Sequence, residues 1–465
     1  MFFSTSYVYE KRRSMQKKLS LILLIWITPC SYTTTYHQLV EQAKKLIHEQ
    51  KLDAAFDILT AALSCIPAKP EAHIELGNNL LWLGNQYFER SENEKALQTF
   101  KKILLISDQF AAVHHNIAFT LAERFGKHKE ALYHYQKAMQ LNPQNVETHF
   151  CAALSYLADG DLERGFAEYE YRWQRGEHSS RNFLEPLQNL WNGADNLWGK
   201  TILIRAEQGF GDTLHFIRYA QILKTMGAYV IAEVQKPLVA LLSHCPFLDQ
   251  VLPIGIDLPL FDYQVPLLSL PHCLKTTLTS IPHQIPYLFT DPERTEYWHT
   301  ALNTEKRFKI GICWQGDRVH GPAKFMSLQE FLPLLKRTDV AVYSLQLHTG
   351  LDQLNELPIQ FRPYIFDKEF DKTHGSFIDT AAVMKQLDLV ITVDTSIAHL
   401  AGGLGIPVWV ALPFPAEWRW LTERSDSPWY PTMTLFRQQK AHDWRPVMNA
   451  MMKALDAVLE ARAHL

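Results

Sequence analysis

The chain has 465 residues, 47% of them hydrophobic and 20% charged, with a formal net charge of −3. That length supports two to four domains with cores of their own, and the near-neutral balance excludes a surface built to grip nucleic acid through its phosphates. The six cysteines (Cys30, Cys65, Cys151, Cys245, Cys273 and Cys313) form no C-x-x-C pair and no Cys/His cluster of zinc-finger spacing, so neither a metal site nor a disulfide framework is expected.

Residues 1–35 read as a leader. Lys11, Arg12, Arg13, Lys17 and Lys18 precede the apolar run Leu19 to Ile27, which ends at Thr28-Pro29-Cys30. The order, basic then apolar, is that of a secretory signal or anchor. The run is shorter than the roughly 20 residues of a membrane span, and no small-x-small cleavage site follows. The other readings are a disordered segment peripherally associated with a membrane, and a chain that starts at Met15. The expected location is the cytoplasm, with inner-membrane association through the leader left open.

Residues 36–173 repeat with a period of 34, the tetratricopeptide length. In 36–69, Leu39, Ala43, Leu46, Ala55, Leu59, Ala62 and Pro67 take the packing positions. After seven extra residues, 77–110 repeats the scheme with Leu83-Gly84, Tyr87, Ala96, Phe100 and Ile103. Residues 111–145 do so with Ile117-Ala118, Leu121, Ala131, Tyr135, Ala138 and Pro143. A fourth unit begins near Val146 with Ala153, Tyr156, Gly165 and Tyr169. Small residues let paired helices approach, large ones fill the gaps, and Pro ends the second helix. The expected use is a surface for a protein or glycan acceptor; a plain cap on the C-terminal domains is the alternative.

Residues 174–199 show neither helical nor strand periodicity and read as a connector. From residue 200 strands and helices alternate. Strands are expected at 201–205, 229–234 and 250–253 in a lobe spanning 200–295, with helices at 212–226 and 238–242. A second lobe, 306–465, has strands at 308–314, 340–345, 388–393 and 407–412, and helices at 327–337, 376–386, 396–404 and 444–464. Such alternation calls for parallel sheets covered on both faces, in two Rossmann-like lobes with ligands at the carboxyl ends of the strands.

Three constellations carry chemistry. The first, Glu207-Gln208-Gly209-Phe210-Gly211-Asp212-Thr213-Leu214-His215, links a strand to a helix. Its glycines allow a tight turn and close backbone approach. Asp212 in that turn would repel a dinucleotide's phosphates, so the residue types point to a working carboxylate; the competing reading is that Asp212 only caps its helix. The second, Asp394-Thr395-Ser396-Ile397-Ala398-His399, offers hydroxyls and free backbone N–H groups at a helix start, a seat for a diphosphate. His399, one turn inward, faces either ligand or core. The third runs from Trp314-Gln315-Gly316 through Arg318, His320 and Lys324 to Phe331. Its cations suit a departing diphosphate, or simply a solvated basic loop.

Taken together, these blocks resemble the heptosyltransferases of glycosyltransferase family 9. Gly209-Phe-Gly-Asp-Thr-Leu-His215 is similar to that family's G-D-x-L-H, Lys324-Phe-Met-Ser327 with Phe331 to its K-x-W-P segment and following aromatic, and Asp394-Thr-Ser-Ile-Ala-His399 to its D-T-G-x-x-H. Residues 261–270, 285–288, 418–421 and 427–431 resemble bacterial proteins that fuse tetratricopeptide repeats to such a domain. Ser396 departs from the family's Gly, and Met326 from a cation usual in the fused relatives.

The resemblance implies a tetratricopeptide superhelix followed by a GT-B fold, and an inverting transfer that needs no metal and no cofactor. Asp212 would be the general base. Lys324, Asp394, Thr395, Ser396 and His399 would hold a nucleotide-sugar donor, and Glu207, Gln208 and His215 would contact the acceptor. The alternatives are a repeat-based binding scaffold whose transferase cleft is degenerate, and another nucleotide-sugar enzyme such as an epimerase.

Overall fold

The structure, a computed structural model, describes residues 32–176, 189–316 and 325–464. The basic and apolar leader up to Ser31, residues 177–188 of the polar connector, and Arg318, His320 and Lys324 lie outside the described residues. The chain divides into two compact units, residues 1–120 and 121–465.

The first unit holds helical hairpins: α1 (Tyr32–His48) with α2 (Leu52–Leu63), and α3 (Pro70–Glu89) with α4 (Asn93–Leu104). The division falls inside α5 (Ala111–Phe125). Ala43, Ala55, Leu59, Ala62, Ala96, Phe100 and Ile103 are all buried, as the repeat pattern requires. Gly84 shows why the small positions matter: a Cβ there would stand 2.3 Å from Phe100 Cε1, inside contact distance. The seven residues outside the 34-residue period are not a loop. They extend α3 by two turns from Pro70, whose missing N–H is harmless at a helix start, and they bury Ala72 and Leu76.

The second unit opens with α6 (His128–Leu141), α7 (Val146–Asp159) and α8 (Leu162–Tyr169). Asn145 caps α7 by accepting from Thr148 N–H, and Gly160 ends it at φ +89°, a conformation that favours glycine. The α7–α8 hairpin is built into the α/β core: Phe166 stands edge-on to Phe216 at 6.3 Å and to Trp418 at 5.8 Å.

The first lobe is a parallel sheet in the order β3-β2-β1-β4, with β1 Thr201–Arg205, β2 Tyr229–Val234, β3 Gln250–Pro253 and β4 Tyr263–Pro266. The second is parallel in the order β6-β5-β7-β8-β9, with β5 Phe308–Cys313, β6 Val340–Ser344, β7 Leu389–Val393, β8 Val408–Leu412 and β9 Met433–Arg437. Every residue of β7 and β8 is buried, as central parallel strands covered on both faces must be.

Strands β4 and β9 stand where no strand is expected, and three further segments differ from expectation. The helix expected over 212–226 starts at Phe210 and tightens to a 3₁₀ turn at Ile217–Tyr219, where the buried Arg218 takes the His215 carbonyl with Nε at 2.7 Å. The helix expected from Ser327 is a 3₁₀ turn, Leu328–Phe331, then one α turn, because Pro333 has no N–H to continue the ladder. The polar stretch between the lobes contains an unexpected helix, Pro292–Leu302, capped by Asp291. It docks through Arg294 and Trp298, which both donate to Asp379 Oδ1.

Candidate active site

Two strand-to-helix turns face each other. In the first lobe β1 leads through Ala206 to Gly209 into helix Phe210–Phe216; in the second, β7 leads through Asp394 and Thr395 into helix Ser396–Gly403. Both sit at carboxyl ends of parallel strands, where open α/β sheets bind ligands. Between them lies a hollow of about 820 Å³. Gln208, Gly209, Phe210, Gly211 and Asp212 line it from the first lobe; Gly316, Phe325, Asp394, Thr395, Ser396, His399, Glu417 and Arg419 line it from the second.

The closeness of the lobes depends on Gly211. A Cβ there would lie 3.1 Å from His399 Cδ2 and 3.7 Å from Ser396 Cα. Gly209, by contrast, has φ −71° and meets no conformational demand for glycine.

Asp212 is doubly held. Its Oδ2 accepts from Gly209 N–H at 3.0 Å, and its Oδ1 accepts from Arg419 Nη2 in an ion pair. Capping and a seat in the hollow are therefore both true of this carboxylate. Arg419 also pairs with Glu417 and lies 4.4 Å over the Trp418 ring. Burial alone would lower its pKa, but the Glu417 and Asp212 carboxylates outweigh burial and raise it, so the guanidinium stays charged.

On the opposite wall Thr395 caps its helix, its Oγ1 accepting from Ile397 N–H at 3.3 Å. The first N–H groups of a helix have no partner within it, so Ser396 stands where an anion finds donors. His399 lines the hollow, stacked on Trp420 at 5.4 Å, with Nδ1 2.8 Å from Tyr430 Oη.

Of the three residues expected to touch an acceptor, only Gln208 reaches the hollow; its Nε2 donates to Tyr169 Oη at 2.9 Å. Glu207 lies behind the wall, its carboxylate enclosed by Arg172 Nε at 2.8 Å, Arg172 Nη2 at 3.0 Å and Leu268 N–H at 3.1 Å. An enclosed carboxylate needs such partners, and Glu207 is committed to them. His215 is fully buried, with Nδ1 2.9 Å from Tyr430 Oη. Burial, then the nearby Arg218 charge, pushes its pKa well below the usual histidine value, so it is neutral. Neither side chain is placed to meet an acceptor. The role expected of Lys324 falls on a residue outside the described ones.

Glu417 and Arg419 line the hollow and Tyr430 lies buried behind it, and none of the three was singled out as a site residue in the sequence. The available signal was an arginine between two tryptophans, Trp418-Arg419-Trp420, just after an acidic residue. Among the described residues, no group of three or more His, Cys, Asp or Glu is placed to hold a metal ion.

A TPR repeat family model matches residues 126–160. Protein FlbA of Caulobacter vibrioides is 25% identical over 429 residues, 86% of this chain and 69% of that protein. Among solved structures, the glycosyl transferase family 9 protein from Veillonella parvula DSM 2008 is 11% identical, with 56% of this chain and 91% of that one covered and a TM-score of 0.40. The E. coli ADP-heptose lps heptosyltransferase II is 14% identical, with 57% and 99% covered and a TM-score of 0.41. The chain joins tetratricopeptide-type helical hairpins to two parallel α/β lobes.

Proposed function

We propose that the chain is a glycosyltransferase that moves a sugar from a nucleotide-diphosphate donor to an acceptor hydroxyl, with inversion and without a metal. The observation that carries this reading is the hollow itself: a carboxylate, Asp212, on one wall and a helix start, Thr395-Ser396, on the other. The acceptor oxygen attacks the anomeric carbon, and the bond to the diphosphate breaks on the opposite face. The electron pair leaves with the nucleoside diphosphate, and the hydroxyl proton passes to Asp212. The Ser396 helix start, Thr395 and Lys324 stabilise the departing charge, and Asp394 and His399 support that wall. The repeats present a surface to a glycan or protein acceptor.

The test is turnover of a nucleotide sugar by the Asp212→Asn variant. Transfer should be abolished while nucleotide binding persists; retained turnover would rule out the base assignment. One observation favours a second reading, a repeat-based binding protein with an idle cleft: Asp212 is held by Arg419 rather than free. That reading requires the unsubstituted protein to transfer no sugar at all.

A further inference from the structure

The described lining of the hollow carries three carboxylates, Asp212, Asp394 and Glu417, and one guanidinium, Arg419. Against these described side chains alone, a diphosphate meets more negative charge than positive unless a cation turns toward it. Arg419 is the described cation in reach. It is buried, its Nη1 is paired with Glu417 and its Nη2 with Asp212, and its enclosed Nε has no acceptor among the described residues. The present pairing therefore does not use all the donors of the guanidinium.

We propose that Arg419 has two partners in turn: Asp212 while the hollow is empty, and the donor's diphosphate once it is seated. Seating the donor then releases the Asp212 carboxylate to receive the acceptor's proton. This rests on the glycosyltransferase reading and adds to it a reason for the ion pair.

Position supports the exchange. Gly211 packs against the start of helix Ser396–Gly403, so Asp212, the next residue, stands beside the phosphate seat and brings Arg419 there with it. Chemistry supports it too. A diphosphate offers more charge and more acceptor oxygens than a carboxylate, and a planar guanidinium binds phosphate oxygens two at a time. While Arg419 bonds Oδ1 and the Gly209 amide bonds Oδ2, each oxygen already has one of its lone-pair sites in use, and the guanidinium crowds Oδ1 on the hollow side. Loss of the Arg419 bond opens Oδ1 and leaves the Gly209 bond to fix the carboxylate's orientation. Glu417, bonded to the Arg419 backbone N–H at 3.0 Å, holds the segment in place through the exchange.

Calorimetric titration of the full chain with ADP, GDP and UDP tests this. Asp212→Asn removes the competitor, so diphosphate affinity should rise at least fivefold. Arg419→Gln should lower it at least tenfold. The matching nucleosides, which lack phosphate, should bind both variants within twofold of the unsubstituted protein. An Asp212→Asn variant whose diphosphate affinity is unchanged or weaker overturns the exchange; this near-isosteric change decides the matter even if Arg419→Gln fails to fold. If the unsubstituted protein binds none of the diphosphates, the donor-site reading fails and the exchange with it. Binding that ignores both substitutions removes the exchange alone.

Discussion

Gly211 lies against His399: a Cβ on the glycine would stand 3.1 Å from the imidazole Cδ2. This contact joins the turn that carries Asp212 to the helix that starts at Ser396. Gly211→Ala should therefore act on geometry more than on stability. Overpacking of this size costs about 1–3 kcal/mol, while a misplacement of even 1 Å in a site costs on the order of a hundredfold in rate. Melting curves beside turnover will check it; a variant with full activity would show that the two turns need not meet.

Tyr430 is the hub behind that contact. Its hydroxyl meets Nδ1 of both His215 and His399, at 2.9 and 2.8 Å. Tyr430→Phe leaves two buried imidazole nitrogens short of a partner, at a cost of about 1–3 kcal/mol each. Turnover should fall with stability, because His399 lines the hollow. Denaturant titration and steady-state rates on one preparation will test this, and an unchanged midpoint would contradict it.

Glu207 separates a structural role from a catalytic one. Replacing it with Gln removes one of the two carboxylates on the buried Arg172, whose Nη1 keeps Glu170 at 2.7 Å. Breaking a buried pair outright costs about 3–5 kcal/mol, and the remaining Glu170 partner keeps the loss below that. The activity of the molecules that remain folded should be nearly unchanged. A specific loss of acceptor binding would restore Glu207 to the acceptor site.

Acid should weaken the second unit through histidines buried in their neutral form. Burial lowers the pKa of His128 to about 4 and that of His215 well below the ordinary value. Near pH 5 the unfolded chain protonates both residues while the folded chain does not. The unfolded state then binds more protons, and stability falls as pH drops below about 6.5. For His128 the loss ends near its folded value of about 4. Each such group contributes about 1.4 kcal/mol per pH unit in that window. His128→Gln should remove one proton's share of the slope, measurable from denaturation midpoints between pH 7 and 5; an unaltered slope would contradict the assignment.

The sequence revealed most where hydrophobic pattern and local structure coincide. β8 is an uninterrupted apolar run and β7 is broken only by Thr392, and the 34-residue period marks residues that do pack. β4 was missed because Tyr263–Pro266 is short and carries Gln264, a polar residue buried beside Arg205. Helix Pro292–Leu302 was missed because only Trp298 and Leu302 are buried, and its anchor is Asp379, far along the chain. The same limit applies to the site. The Asp212 turn and the Thr395 helix start are local and readable. Arg419 owes its place to a partner 207 residues away, and no spacing rule reports such a pair.

The central claim is that the helix start at Thr395-Ser396 seats a nucleoside diphosphate. Its most direct test is the melting temperature of the full chain with saturating nucleoside diphosphates and nucleotide sugars. At a hundred times the dissociation constant, one bound ligand stabilises the folded state by about 2.7 kcal/mol. At least one nucleoside diphosphate should raise the midpoint by about 2 °C or more, and the matching nucleoside should not. A midpoint that no nucleotide or nucleotide sugar moves would contradict the account.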